Sequence, residues 1–137
     1  MGGGVRVKTA KGDKAKCDRL FSLIVRSEGK CQRCGVCCPC PEFPRAHTVG
    51  CPLTCSHDVV GRRYSWTRTF EDCCSCLCFK CHYHLENHRV EHAEWIVGLR
   101  GAKTVAAVRD RANRTDKFDW SAEYDRLKVR ARELGIL

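Results

Sequence analysis

Between Asp13 and Ser27 the apolar residues Cys17, Leu20, Phe21, Ile24 and Val25 recur at helical spacing and share one face. Gly29 follows as a C-terminal stop. Residues 1–12 have no such period and include three consecutive glycines, so they read as a flexible basic arm. Residues 37–55 hold Pro39, Pro41, Pro44 and Pro52 among cysteines, which excludes a regular helix there. Val59, Val60, Tyr64, Trp66 and Thr67 give residues 54–69 β character around a turn near Gly61, and a hairpin is predicted. From His82 a helical pattern runs through Leu85, Val90, Trp95 and Ile96 to Leu99, with Gly98 and Gly101 as breakers. Thr104–Asn113 and Ser121–Leu134 are two more helices, with Tyr124, Leu127 and Leu134 on one face of the second. The pattern predicts one α+β domain over residues 13–137. Residues 37–55 form a Cys/Pro-rich insertion in it and residues 101–137 a C-terminal helical tail.

Charge adds a partner to this picture. The 137 residues carry 25 Lys and Arg against 16 Asp and Glu, a net +9. A small basic chain favours a polyanion, and phosphate contacts supply most sequence-independent affinity for nucleic acid. Arg62, Arg63 and Arg68 lie beside Tyr64 and Trp66 and are the candidate DNA contacts; solvated hairpin charge is the plainer alternative. No apolar run reaches the ~18 residues of a membrane span, so no membrane partner is expected. The basic start has no apolar stretch behind it, so no secretory signal is expected either. A reducing cytoplasm follows as the expected compartment.

Thirteen cysteines in such a compartment read as metal ligands before disulfides, and the odd number opposes full pairing. Cys31 and Cys34 form one C-x2-C knuckle, Cys78 and Cys81 another. Two such knuckles can present four thiolates tetrahedrally to one structural Zn²⁺, and these four are the preferred ligands. Other pairings compete, among them 34/37, 37/40 and 73/76. A second zinc is open to Cys37, Cys40, Cys51 and Cys55, with Cys38 and His47 nearby; otherwise these residues are small buried thiols or exposed loop positions.

DRLFSLIVRSEGKCQRCG, CSHDVVGRRYSWTR, CLCFKCH and EHAEW follow one another in an order that resembles the NinG/Rap family of phage recombination nucleases, which are HNH-like, ββα-metal proteins. The tail RANRTDKFDWSAEYDRLKVRARELG is similar to that family's terminal helix, so the likeness covers residues 18–135. The resemblance implies a small zinc-stabilised ββα-metal core with an N-terminal helix and C-terminal helices. It implies a structure-specific endonuclease acting on branched DNA in the cytoplasm of a bacterial host, and a symmetric junction would suit a homodimer. By position it makes His57 the general base and Cys31, Cys34, Cys78 and Cys81 the structural zinc ligands. It makes His82 the candidate holder of a catalytic Mg²⁺ or Mn²⁺. Two departures stand out: Cys73 occupies the place of the middle HNH Asn, and Phe70 that of an acidic residue, with Glu71 and Asp72 adjoining.

His84, His88 and His92 are spaced i, i+4, i+8 and share a face if one regular helix holds them all. His84 or His88 is then an alternative holder of the catalytic ion, as is Cys73, whereas the plainer reading of the histidines is a solvated polar face. A DNA-binding module without catalysis is the rival function, and Cys73 is the residue that favours it.

Overall fold

The computed structural model describes residues 2–35 and 52–137, with side chains from residue 12 onward. Helix α1 (Gly2–Arg26) is followed by strand β1 (Leu53–His57), a short helix α2 (Ser65–Arg68), a 3-10 turn (Glu71–Cys73) and strand β2 (Cys74–Cys78). Helices α3 (Phe79–Glu86), α4 (Arg89–Arg100), α5 (Ala102–Ala112) and α6 (Trp120–Glu133) complete an α+β chain. Two predicted helices, over 104–113 and 121–134, are present close to their expected bounds, and a third, over 13–27, ends where expected. In α1, Cys17, Leu20, Phe21 and Ile24 are buried, as the spacing requires. The helix starts at Gly2 rather than Asp13, so the backbone of residues 2–12 continues it where an arm is expected. Once the packed turns at 17–24 are formed, each further residue adds one hydrogen bond without a new nucleus.

β1 and β2 pair antiparallel, from Leu53 opposite Cys78 to His57 opposite Cys74. The predicted hairpin thus exists with a different second strand. Its partner is the cysteine run 74–78, and residues 65–68 are helical. All five residues of β2 are buried, because α1 covers one side of the sheet and α3 the other. A strand buried on both faces needs small apolar side chains, and Cys supplies them; burial outweighs the β propensity of Tyr64 and Trp66.

The single helix expected over 82–99 is two. Asn87 interrupts it, its Nδ2 donating to the Tyr83 carbonyl at 2.8 Å in competition with the backbone ladder. Gly98 lies within α4, and Gly101 at φ +90° makes the break before α5. Val90 and Leu99, expected on the buried face, are exposed, whereas Ile96 is buried. In α6 the Asp119 carboxylate caps the Ala122 N–H at 3.0 Å. Leu127 and Ala131 are buried there, while Leu134 is exposed. Glu123 is buried on the same face, held by Arg126 and by the Thr69 hydroxyl.

Two packed clusters result. Cys17, Leu20, Phe21 and Ile24 of α1 meet Val108, Leu127, Ala131, Cys73 and Cys74. At the other end Leu77 and Leu85 pack with Cys31, Cys78 and Cys81. No helix among the described residues is long and apolar enough to cross a membrane.

Candidate functional site

The two knuckles meet where β2 runs into α3. Cys31 and Cys34 sit in the turn after α1, Cys78 ends β2, and Cys81 lies in the first turn of α3. Their four Sγ atoms all lie within 4.8 Å of one another. Tetrahedral Zn–S bonds of ~2.3 Å need S–S edges of roughly 3.8 Å, so this tetrad can hold a metal such as zinc. The surroundings favour the thiolate at Cys31, while the shared hydrogen bond to it pushes the Cys81 thiol up. The Cys34 N–H points at Cys31 Sγ at 3.5 Å, and the Arg33 guanidinium donates to Cys81 Sγ at 3.2 Å. A hydrogen bond from Cys81 and backbone N–H groups bring Cys31 down to about 4. The Gln32 side-chain oxygen accepts from the Cys76 N–H at 2.8 Å and the Gln32 N–H donates to the Cys76 carbonyl at 2.8 Å, which clips the first knuckle to β2.

Strand alternation divides the remaining chemistry between two faces. Cys55 and His57 of β1 point towards α1, and the His57 ring centroid is 6.3 Å from that of Phe21. His57 Nε2 lies 2.8 Å from the Arg68 carbonyl oxygen. A carbonyl only accepts, so Nε2 carries the proton and Nδ1 keeps a lone pair. Burial holds this imidazole below its ordinary value, neutral near pH 7. A cavity of about 200 Å³ adjoins it, lined also by Asp18, Arg62 and Arg68.

The opposite face carries His82. Its Nδ1 is 3.0 Å from Thr54 Oγ1, and its Nε2 3.1 Å from a Glu86 carboxylate oxygen. The expected base and the expected ion holder are thus on opposite sides of a two-stranded sheet. Cys73 is elsewhere again, buried against the α1 cluster with its thiol 3.5 Å from the Val60 carbonyl. His84 and His88 stack at 4.1 Å on the surface, His84 against Glu91 at 3.0 Å. The break at Asn87 removes His92 from their face. It instead donates to Asp58 at 2.7 Å, and Ser56 and Ser75 donate to the same carboxylate. The side chain of Asp58 is fully buried, and these three donors satisfy it. This network has no signature in the sequence, because its members lie up to 34 residues apart.

Of the second zinc set, Cys37, Cys40 and Cys51 lie outside the described residues, as do Cys38 and His47. Cys55 is described, and it gathers with His57 and Cys74, their ligand atoms again within 4.8 Å.

Of the three candidate arginines, Arg68 is bound to Asp18 through two bonds of 2.7 and 2.8 Å, tying the β1–β2 connection to α1. Arg62 is 60% exposed and 3.6 Å from Asp18. Arg63 is exposed and lies over the Tyr64 ring at 5.0 Å. A second opening of about 490 Å³ continues from there, between Trp66, Phe118 and Trp120, with Arg114 and Lys117 at its rim. Arg114 lies 3.4 Å from the centroid of Trp66. The second half of this cleft, 50 residues beyond Trp66, was not among the expected DNA contacts. The FDW run at 118–120 was its only local signal.

No family model, curated protein or solved structure matches the chain.

Proposed function

We propose that this chain is a metal-dependent, structure-specific DNA endonuclease with an HNH-like ββα-metal core, hydrolysing phosphodiesters in branched recombination intermediates. The observation that carries the reading is His57: a neutral imidazole on a strand, its Nε2–H held by the Arg68 carbonyl, beside an open cavity with Arg62 at its rim. The resemblance to the NinG/Rap family supports the same assignment.

His57 Nδ1 takes a proton from a water aligned with the phosphorus, and Arg68 keeps the ring from turning away. Arg62 holds a phosphate oxygen at the mouth of the cavity. A Mg²⁺ or Mn²⁺ ion, when bound, would supply charge stabilisation for the phosphate and the leaving oxygen. His82 with Glu86 is the pair that would hold it, since both are partly exposed and a carboxylate suits a hard ion. Among the described residues β1 pairs with β2 alone, so a phosphate lying along its outer edge would be reached by side chains from both faces. The four-cysteine centre, loaded with zinc, ties β2 and α3 to the turn after α1 and so keeps this strand in place. The cleft of Trp66, Phe118 and Trp120 with its arginines suits an unpaired base and its phosphate, a feature of branched DNA. A bacterial host cytoplasm and a homodimer on a symmetric junction fit this reading.

The test is cleavage of a four-way junction against linear duplex, with and without Mg²⁺ or Mn²⁺. Metal-dependent cutting of the junction is expected, with His57→Ala losing ~100-fold or more while still binding. Wild-type protein that binds but cuts neither substrate would overturn it. It would leave the second reading, a zinc-stabilised DNA-binding protein without catalysis, which Cys73 in the Asn position favours.

A further inference from the structure

We propose that Cys55, His57 and Cys74 form a second metal site for a thiophilic divalent ion such as Zn²⁺, separate from the four-cysteine centre, and that filling it disables His57.

The placement comes from the sheet. His57 and Cys74 are directly opposed in the β1–β2 register, and Cys55 is two residues before His57 on the same face. The three ligand atoms lie within 4.8 Å of one another. Zn–S bonds of ~2.3 Å and a Zn–N bond of ~2.0 Å close that span with small side-chain rotations. The hydrogen bond from His57 Nε2 to the Arg68 carbonyl is the outer partner that metal-bound imidazoles have, and it leaves Nδ1 as the ligand atom.

Charge and donor type agree. Two thiolates and a neutral imidazole balance one Zn²⁺ without burying a net charge. Each thiol gives its proton to solvent as the ion enters. Arg62 and Arg68 line the cavity that adjoins His57 and Cys55. The fourth position is open to Cys73, whose thiol hydrogen-bonds to Cys74, or to a water from the 200 Å³ cavity. A Cys2His set selects zinc over Mg²⁺, so the ion that drives cleavage does not compete for it.

One lone pair serves both roles. While Nδ1 is bound to a metal it takes no proton from water. This consequence rests on the nuclease reading; the site itself does not.

The test is Co²⁺ titration of the zinc-free full chain, followed by visible absorption and elemental analysis. The expected result is that Cys55→Ser and Cys74→Ser each bind one equivalent fewer than wild type, while far-UV circular dichroism is retained. His57→Ala is expected to shift the d–d bands of that equivalent, and it reads the site if Cys74→Ser does not fold. Equal stoichiometry in wild type and both Ser variants overturns the site. So does a loss with Cys55→Ser alone, which would assign the ion to Cys55 and the 37–51 cysteines. In junction cleavage at fixed Mg²⁺, Zn²⁺ beyond the first equivalent is expected to suppress the rate at least tenfold. Unchanged cleavage with the second equivalent bound overturns the inhibitory role, whereas absent cleavage in all samples overturns the nuclease reading and leaves the site standing.

Discussion

The two ends of the molecule are held by different physics. Where α1 meets α5, α6 and Cys73–Cys74, nine buried residues interlock, Phe21 and Leu127 among them, and apolar burial joins the elements. Around Leu77 and Leu85 there are five buried residues, and three of those are Cys31, Cys78 and Cys81. Removing the ligands' function leaves two leucines, with Leu53 and Trp95 partly buried beside them. An apolar patch of that size offsets little of the entropy of ordering the knuckle, so this end is where a metal held by the tetrad would add most. The strand that carries His57 spans both regions. Cys55 and His57 face α1, and Thr54 faces α3 through His82.

The largest effect should come from breaking the metal end. Structural zinc supplies ~10–16 kcal/mol of coupled folding free energy in small domains. Chelation, or Cys78→Ser, is therefore expected to abolish the cooperative melt of β2 and α3 in circular dichroism and hydrogen exchange. A melt unchanged by chelator would show that packing alone holds this end. Phe21→Ala should be next, at about 3–5 kcal/mol, and it should cost the same with and without chelator if the two ends are independent. Strong coupling between the two perturbations would merge the two regions into one.

The remaining two effects are functional. His57→Ala, on the strand both regions share, should lower junction cleavage by ~100-fold, about 2.7 kcal/mol, with little change in the melt. A large drop in stability would mark His57 as structural. Trp66→Ala lies outside both clusters. It should weaken junction affinity by about tenfold, within the ~1–3 kcal/mol of one stacked base, and spare linear duplex. Equal losses on both DNAs would make the cleft a general phosphate surface.

The pattern of the chain was readable where one element decides it. The stripe Cys17–Leu20–Phe21–Ile24, the helix over 104–113, and Leu127 on the packed face of the helix over 121–134 all follow from spacing within a few residues. The two C-x2-C knuckles were readable for the same reason, since the chemistry of zinc fixes the spacing within each. The hairpin was only half readable. β propensity pointed to Tyr64 and Trp66, whereas the strand that pairs with β1 is the cysteine run, whose side chains carry neither a strong β preference nor an alternation. His84, His88 and His92 show the cost of assuming one regular helix, because the helix breaks at 87–88 and His92 meets Asp58 instead.

What the sequence determined by itself was therefore local: helix faces, the knuckle spacing, the positive charge and the presence of His57 just before the aromatic-basic stretch 62–68. These depend on interactions over a few residues. Only the tertiary structure decided which cysteines meet, that His57 and His82 stand on opposite faces, and that Arg68 is bound to Asp18. It also decided that Cys55, His57 and Cys74 share one face. Those outcomes turn on strand register and on which helix covers which side of the sheet. A shift of one residue in β1 would carry His57 and Cys55 to the other face without altering any local pattern.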